Sequence, residues 1–345
     1  MPDITVNSAV SKDELFIPLI NFAPFLSNDP TSKKQTAQAI LDGFQNAGFI
    51  YLQNHGISSS TVSNVFAKSA KFFARPQEQK DALGWYSPEA NRGYVAQGRE
   101  KVTDLEELDE VEALRKSIPD LKESLEIGRD DEEGMPNMWP PVDGDEEAKV
   151  FKDVMVEFHN TCKKLHMQIM RAIALGMGLE EGWFDGFTDR GDNTLRLLHY
   201  PSVDKKLFKR EDGLQQVRAG EHSDYGSITL LFQDSRGGLQ VRSPKGTFVD
   251  ATPIPGAIVI NAGDLLARWS NDTIKSTKHR VVEPPPKPED ATSDKYPPRY
   301  SVAYFCNPNF DRLIEAIPGT YEEAGKKYKG INSGEYLVRR LTATY

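Results

Sequence analysis

The sequence predicts a mainly β fold with helical additions: a double-stranded β-helix (jelly-roll) core, flanked by N-terminal and central helices and followed by a C-terminal helix. Three observations predict it. Between Asn193 and Phe310 the apolar pattern falls into short segments of period two, at 194–199, 217–232, 239–242, 248–251, 257–261, 277–282 and 300–306. Gly237-Gly238 and Pro244-Lys245-Gly246 are turn signals between them, and many short strands joined by short turns read as a jelly roll. On both sides of this region the period lengthens to that of a helix.

In chain order, residues 1–13 are polar and expected to be loose. Residues 16–22 read as a short strand, and Pro18 suits an edge position because it has no N–H to donate. Ala37, Ile40, Leu41, Phe44 and Ala47 recur at helical spacing, with Gly48 just past the end. Residues 49–52 form the next strand and 62–73 the next helix, which stops before Pro76. Asn91 to Arg99, with Gly93 and Arg92, reads as a pocket lip, and 123–128 as one more strand. Residues 129–147 are acidic and hold Pro136, Pro140 and Pro141, so a loop or lid is expected.

The longest helical pattern is 150–179, with Phe151, Val154, Phe158, Leu165, Ile169, Ile173 and Leu175 as its apolar stripe and Gly176 and Gly178 ending it. His159 and His166, seven apart, share one face and read as structural. Residues 284–298 form a proline-rich surface loop, long enough to cover the barrel mouth. Ser333 is the expected N-cap of a terminal helix. The chain is read as one domain over 1–345, with a helix-rich region at 1–185, the jelly-roll core at 190–310 and a helical end at 311–345.

Composition narrows the function classes. A chain of 345 residues, 38% hydrophobic and 27% charged, builds a large core and is ordinary for a globular protein. Its formal net charge of −9 repels phosphate backbones, which argues against nucleic-acid polymers as partners. Cys162 and Cys306 are the only cysteines, which favours a reducing compartment. The first residues lack a basic and apolar leader, and no apolar run reaches membrane-spanning length, so a cytoplasmic location is expected. Oligomeric state is left open.

The chemistry centres on Glu221-His222-Ser223-Asp224-Tyr225-Gly226. On a strand, His222 and Asp224 point to one face and bring an imidazole and a carboxylate together. His279, in Lys278-His279-Arg280-Val281, supplies a third ligand, and two histidines with one carboxylate make the facial set of non-haem Fe(II) oxygenases. A lone His-x-Asp also occurs in ordinary hairpins. Here, however, Arg299-Tyr300-Ser301 follows, with a guanidinium and a hydroxyl at period two, a pair that suits the far carboxylate of a bound acid.

With Leu195-Arg196-Leu197-Leu198-His199-Tyr200-Pro201, Asn261-Ala262-Gly263-Asp264-Leu265 and Ser301-Val302-Ala303-Tyr304-Phe305-Cys306-Asn307-Pro308, these segments resemble the isopenicillin-N-synthase-like family of Fe(II)/2-oxoglutarate-dependent oxygenases. The likeness spans nearly the whole chain and is strongest to the thymine-hydroxylating branch. It implies Fe(II) on His222, Asp224 and His279, with O2 and 2-oxoglutarate as co-substrates. Arg299 and Ser301 would take the distal carboxylate and Tyr200 would hydrogen-bond the co-substrate. Leu198 stands where relatives carry asparagine, so the resemblance does not carry over the asparagine's part of that contact. The resemblance further implies that Asn193 and Arg196 hydrogen-bond a pyrimidine edge and that Tyr225 and Phe305 clamp its faces.

The expected activity is hydroxylation of the thymine methyl group, in one or several successive oxidations, on a small molecule. The alternatives are an oxygenase of fungal secondary metabolism with another aromatic or polyketide-like substrate, and a non-catalytic small-molecule sensor on the same fold. Zinc-dependent hydrolysis stands further off.

Overall fold

Residues 49–52 and 257–262 are apolar on both sides of their strands, so each strand must be covered on both faces. The computed structural model, which describes residues 7–344 apart from 28, 101–119, 209–215, 286 and 324, shows how. A nine-stranded sheet runs in the order Asn7–Lys12, Leu15–Asn21, Phe49–Gln53, Ala257–Ala262, Ile228–Gln233, Arg299–Cys306, Thr194–Tyr200, Glu123–Ile127, Gly93–Val95. All neighbours are antiparallel except Leu15–Asn21 with Phe49–Gln53. A second antiparallel sheet orders Phe248–Asp250, Leu239–Arg242, His279–Val281 and Ala219–His222.

Alternation along each strand sorts the side chains between two cores. Ile50, Leu52, Ile258, Ile260, Leu195, Leu197, Val302 and Tyr304 face the helices Pro30–Asn46, Ser59–Phe73 and Glu146–Gly176. Phe49, Tyr51 and Val259 face the opposite way and pack with Leu239, Val241 and Val249 of the small sheet. The site lies in that second space, between the sheets. Helix Glu146–Gly176 buries Phe151, Phe158, Leu165, Ile169 and Ile173 of its expected stripe, whereas Val154 and Leu175 are only partly covered. Five strands that precede residue 185 join the same large sheet as the core strands.

Several expectations are corrected. Residues 7–12 are a strand, not loose chain, while 1–6 lie outside the described residues. Pro18 therefore sits inside the sheet, tolerated because it pairs with Ser8 at an irregularity between Ser8 and Val10. The predicted strand 217–232 is two strands in different sheets, separated by a turn. A helix at Asp264–Trp269 was not anticipated, its six residues being too short to show a period. The terminal helix is capped by Asn332, whose Oδ1 accepts from the Glu335 N–H at 3.1 Å, while the Ser333 hydroxyl turns to the Pro308 carbonyl. The proline-rich loop is pinned by Lys295–Tyr296 pairing with Val203–Asp204 and by Arg236 on Asp290, and none of its described residues lines the outer cavity at the metal site. No helix among the described residues is long and apolar enough to cross a membrane.

Candidate active site

The crossing from the small sheet to the large one creates the metal site. His222 ends strand Ala219–His222 and pairs directly with His279 on the neighbouring strand, their ring centroids 4.3 Å apart. Asp224 lies beyond the strand, in the turn that leads to Ile228–Gln233, so a turn rather than strand alternation brings it to the histidines. The turn is packed hard against its neighbours. A Cβ on Gly226 would lie 2.4 Å from the Cys306 carbonyl oxygen, and one on Gly263 would lie 2.4 Å from that of Gly226. Asp264, at the start of its short helix, accepts from Ser223 at 3.1 Å and from Ser276 at 2.7 Å, which ties the turn to the segment before His279.

The donor set is prepared for a divalent cation. Nδ1 of His222 meets the Gly220 carbonyl at 2.8 Å and Nδ1 of His279 meets the Thr277 carbonyl at 3.3 Å, which places the N–H there and leaves both Nε2 lone pairs free. Each Nε2 is 3.8 Å from Asp224 Oδ1. The other carboxylate oxygen accepts from Thr229 Oγ1 at 2.5 Å and from Asn261 Nδ2 at 2.7 Å, so Oδ1 is the one left to ligate. Burial and the nearby His279 push His222 down to about 4, which keeps it neutral and able to bind metal. Burial alone would raise Asp224, but the two histidines, Asn261 and Thr229 outweigh it and the group stays below its ordinary value. Among the described residues these three are the cluster whose ligand atoms lie within 4.8 Å of one another. Three ligands on one side leave the opposite side open, which fits Fe(II) with a bidentate co-substrate.

Two cavities meet at this cluster. The inner one runs between the sheets from His279 to Arg299 and is lined by Lys122, Leu198, Tyr200, Leu231, Ser301 and Ala303 among others. Arg299, Ser301, Ala303 and Phe305 occupy one face of a strand, as period two requires. Arg299 is 1% exposed and donates to the Gly237 carbonyl at 2.8 Å, to Gln233 Oε1 at 3.1 Å and to Ser301 Oγ at 3.2 Å. Its guanidinium also covers the Tyr200 ring at 4.9 Å. Among the described residues it forms no ion pair, so a buried cation with neutral partners closes the far end of the cavity. That end suits a carboxylate.

The outer cavity is lined by Asn91, Arg92, Glu100, Asn193, Arg196, Tyr225, Phe305 and, from the terminal helix, Leu337, Val338, Leu341 and Thr344. His222, Asp224, Arg196 and Phe305 line both cavities, so the metal site and this pair form the partition. Arg196 Nε donates to Glu126 at 2.9 Å and its Nη1 to Glu100 at 3.1 Å, and its cation lies 5.0 Å from the Phe305 ring centroid. Glu100 also pairs with Lys122. Burial acts against the Glu100 charge, but the Arg196 and Lys122 cations outweigh it and hold Glu100 at about 2. Glu126, with Arg196 as its cation and Glu100 as a repelling neighbour, is raised by burial.

All four residues expected at a substrate therefore reach the outer cavity, each with protein partners of its own. The Asn193 amide donates to the Tyr304 hydroxyl at 3.0 Å and accepts from the Asn307 N–H at 2.8 Å. The Tyr225 hydroxyl meets Thr344 Oγ1 at 2.7 Å, and the Arg340 cation covers one of its faces at 4.4 Å. The expected lip at Asn91–Arg92 is present. His159 and His166 are buried and stand outside the candidate metal cluster, against the Asn193 carbonyl and Ser227 Oγ.

Sequence reasoning missed Thr229, Asn261, Gln233, Asp264, Glu100 and Glu126. Asn261 and Thr229 left a trace, as polar residues inside otherwise apolar strands. The two glutamates left none, because their partner Arg196 is 96 positions from Glu100 and 70 from Glu126 in the chain.

Residues 17–142 match the family described as non-haem dioxygenase in morphine synthesis N-terminal, and residues 191–308 match the 2OG-Fe(II) oxygenase superfamily. A 2-oxoglutarate-Fe(II) type oxidoreductase of Metarhizium rileyi is 34% identical over 94% of this chain and 90% of its own. The crystal structure of full-length Neurospora crassa thymine 7-hydroxylase with alpha-KG and thymine is 60% identical, with a TM-score of 0.89 over 98% of this chain and 100% of that one. The same enzyme with alpha-KG and 5-formyluracil is 57% identical, with a TM-score of 0.87 over 98% and 99%.

Proposed function

We propose that this chain, which belongs to the 2OG-Fe(II) oxygenase superfamily and is an Fe(II)/2-oxoglutarate-dependent dioxygenase, hydroxylates the methyl group of free thymine. The observation that carries the substrate is the 60% identity to the N. crassa thymine enzyme over essentially the full length of both chains. Thymine, 2-oxoglutarate and O2 would give 5-hydroxymethyluracil, succinate and CO2. The N. crassa complex with 5-formyluracil supports successive oxidations at the same carbon.

His222, Asp224 and His279 would hold Fe(II), which when bound supplies the centre at which 2-oxoglutarate and O2 react. The chain's own groups do the rest. The Gly220 and Thr277 carbonyls hold the two imidazoles in the ligating tautomer. Arg299 and Ser301 orient the co-substrate by its distal carboxylate, with Tyr200 beneath the guanidinium. On the outer side, Phe305 and Tyr225 bound the plane of the ring, while Arg196 and Asn193 set its rotation so that the methyl group faces the metal. Leu337, Val338 and Leu341 exclude water from that side. A net charge of −9 supports a free base rather than a base in a nucleic-acid polymer. Two buried, unpaired thiols, Cys162 and Cys306, support a cytosolic setting.

The test is succinate release by Fe(II)-loaded enzyme with thymine, uracil, thymidine and other aromatic candidates, with products identified by mass. Thymine-dependent release of succinate with 5-hydroxymethyluracil is expected, and thymidine should be slow. Release driven by another compound and not by thymine transfers the site to that substrate.

A further inference from the structure

Behind the Arg299 end of the inner cavity, outside its lining, lies a second buried guanidinium that the mechanism above does not use. Arg218 is 0% exposed. Its side chain donates to the Tyr200 carbonyl at 3.4 Å and to the Pro297 carbonyl at 3.1 Å, and its Nε has no partner. Tyr200 is the residue paired with Arg299 across the sheet, and Pro297 lies two positions before Arg299, so Arg218 braces both sides of that arginine. The Arg218 backbone is held as well, by the Val281 carbonyl at 2.8 Å and the Leu121 N–H at 3.0 Å. No carboxylate pairs with either guanidinium among the described residues, and Glu283 and Asp234 act on Arg218 only from a distance. Burial first, and then the charge of Arg299, push Arg218 down to about 10, so it is still cationic at neutral pH.

Bracing two carbonyls needs only a neutral donor. A buried cation is costly unless an opposite charge offsets it, and a second cation beside it raises that cost. Glu283 and Asp234 offset it only from a distance, and nothing among the described residues completes the offset. A bound dianion would, because the distal carboxylate placed on Arg299 also falls within the field of Arg218, which is little screened in a dry interior.

We propose that Arg218 is a positioning residue for 2-oxoglutarate, a second positive charge behind Arg299 that makes the inner cavity favour a dianionic 2-oxo acid over a monoanionic one. The inference rests on the use of 2-oxoglutarate by this superfamily and not on the thymine reading. No pyrimidine enters its test, so the two fail separately.

The test is calorimetric titration of Mn(II)-loaded, full-length protein under argon with 2-oxoglutarate and with 2-oxopentanoate, which has the same chain length but no distal carboxylate. Arg218→Gln keeps a donor for the carbonyls and removes the charge. It should weaken 2-oxoglutarate by about tenfold and 2-oxopentanoate by less than about twofold, with Mn(II) affinity unchanged. Arg218→Lys keeps the charge and should hold 2-oxoglutarate within about threefold of wild type. Equal weakening of both acids, or a lysine variant no better than glutamine, would reduce Arg218 to a backbone brace and overturn the proposal. So would a glutamine variant that binds like wild type. Should Arg218→Gln fail to fold, Arg218→Met and Arg218→Lys are compared on the same two acids, with the same outcomes deciding.

Discussion

The inner and outer cavities share a partition yet are built on different principles. The inner cavity is a product of sheet regularity: Arg299, Ser301 and Ala303 on one strand face Tyr200 and Leu198 on the next, in register. Its anchoring cation is satisfied by a carbonyl, an amide and a hydroxyl. The outer cavity gathers residues from the 88–92 turn, the 192–196 strand start, the 222–226 turn and the terminal helix. Its arginine is tied to two buried carboxylates. On the proposed function, the difference separates reaction from selection. A register can keep the co-substrate in place while turns and a terminal helix change what lies on the other side of the metal.

Removing the partition's metal ligands should have the largest effect. In His279→Ala, the visible charge-transfer band formed by Fe(II) and 2-oxoglutarate under argon should vanish and turnover with it. A retained band would take His279 out of the ligand set. Next comes Arg196, whose loss strands Glu126 without a cation and leaves Glu100 with Lys122 alone. Arg196→Met should lower stability by about 3–5 kcal/mol, read by denaturant unfolding, and should uncouple succinate formation from product. Were Arg196 only a substrate contact, the stability would not move.

Arg299→Gln sharpens the comparison from the other side. The 2-oxoglutarate dissociation constant should rise about tenfold or more with Fe(II) binding retained, and lysine should rescue only partly because it lacks the planar fork. Phe305→Ala should raise the KM for thymine about tenfold and change kcat less, since stacking acts on substrate and transition state alike. A kcat loss larger than the KM change would make Phe305 part of the methyl-group alignment.

The smallest effect at neutral pH, where it vanishes, lies away from the metal cluster. Free imidazole takes up a proton near pH 6.5, but burial pushes His159 down to about 4 and His166 to about 3. Between pH 6.5 and about 4 the unfolded chain binds more protons than the folded one, so stability falls as pH falls, by about 1.4 kcal/mol per pH unit for each ring. Above pH 6.5 neither ring contributes. His166→Asn should flatten the acid limb of the Tm profile by one such slope, while an unchanged limb would mean that His166 titrates normally when folded.

How much of the site was legible follows from where its information lies. The order His-x-Asp, His, Arg-x-Ser is written along the chain, and the three residues of the candidate metal cluster and the buried Arg299 could be named from it. The long helix and most core strands could be named too, because periods of 3.6 and two are local patterns set by backbone geometry. Where local cues misled, a distant partner was responsible. Pro18 reads as an edge residue until Asn7–Lys12 adds a strand outside it. Ser333 reads as a cap until the Pro308 carbonyl takes its hydroxyl and Asn332 replaces it.

By itself, the sequence determined the mainly β class and the helices around it, and it named the residues proposed as the three metal ligands and as the carboxylate-binding pair. Only the tertiary structure decided that Asp224 acts from a turn between two sheets and that Thr229 and Asn261 leave it a single free oxygen. It alone decided that Arg196 answers to Glu100 and Glu126, and that Arg218 braces the Tyr200 and Pro297 carbonyls beside Arg299. The physical reason is that a side chain's type and period belong to its own segment, whereas its hydrogen-bond partner and the field it feels are set by strand register and burial across residues far apart in the chain.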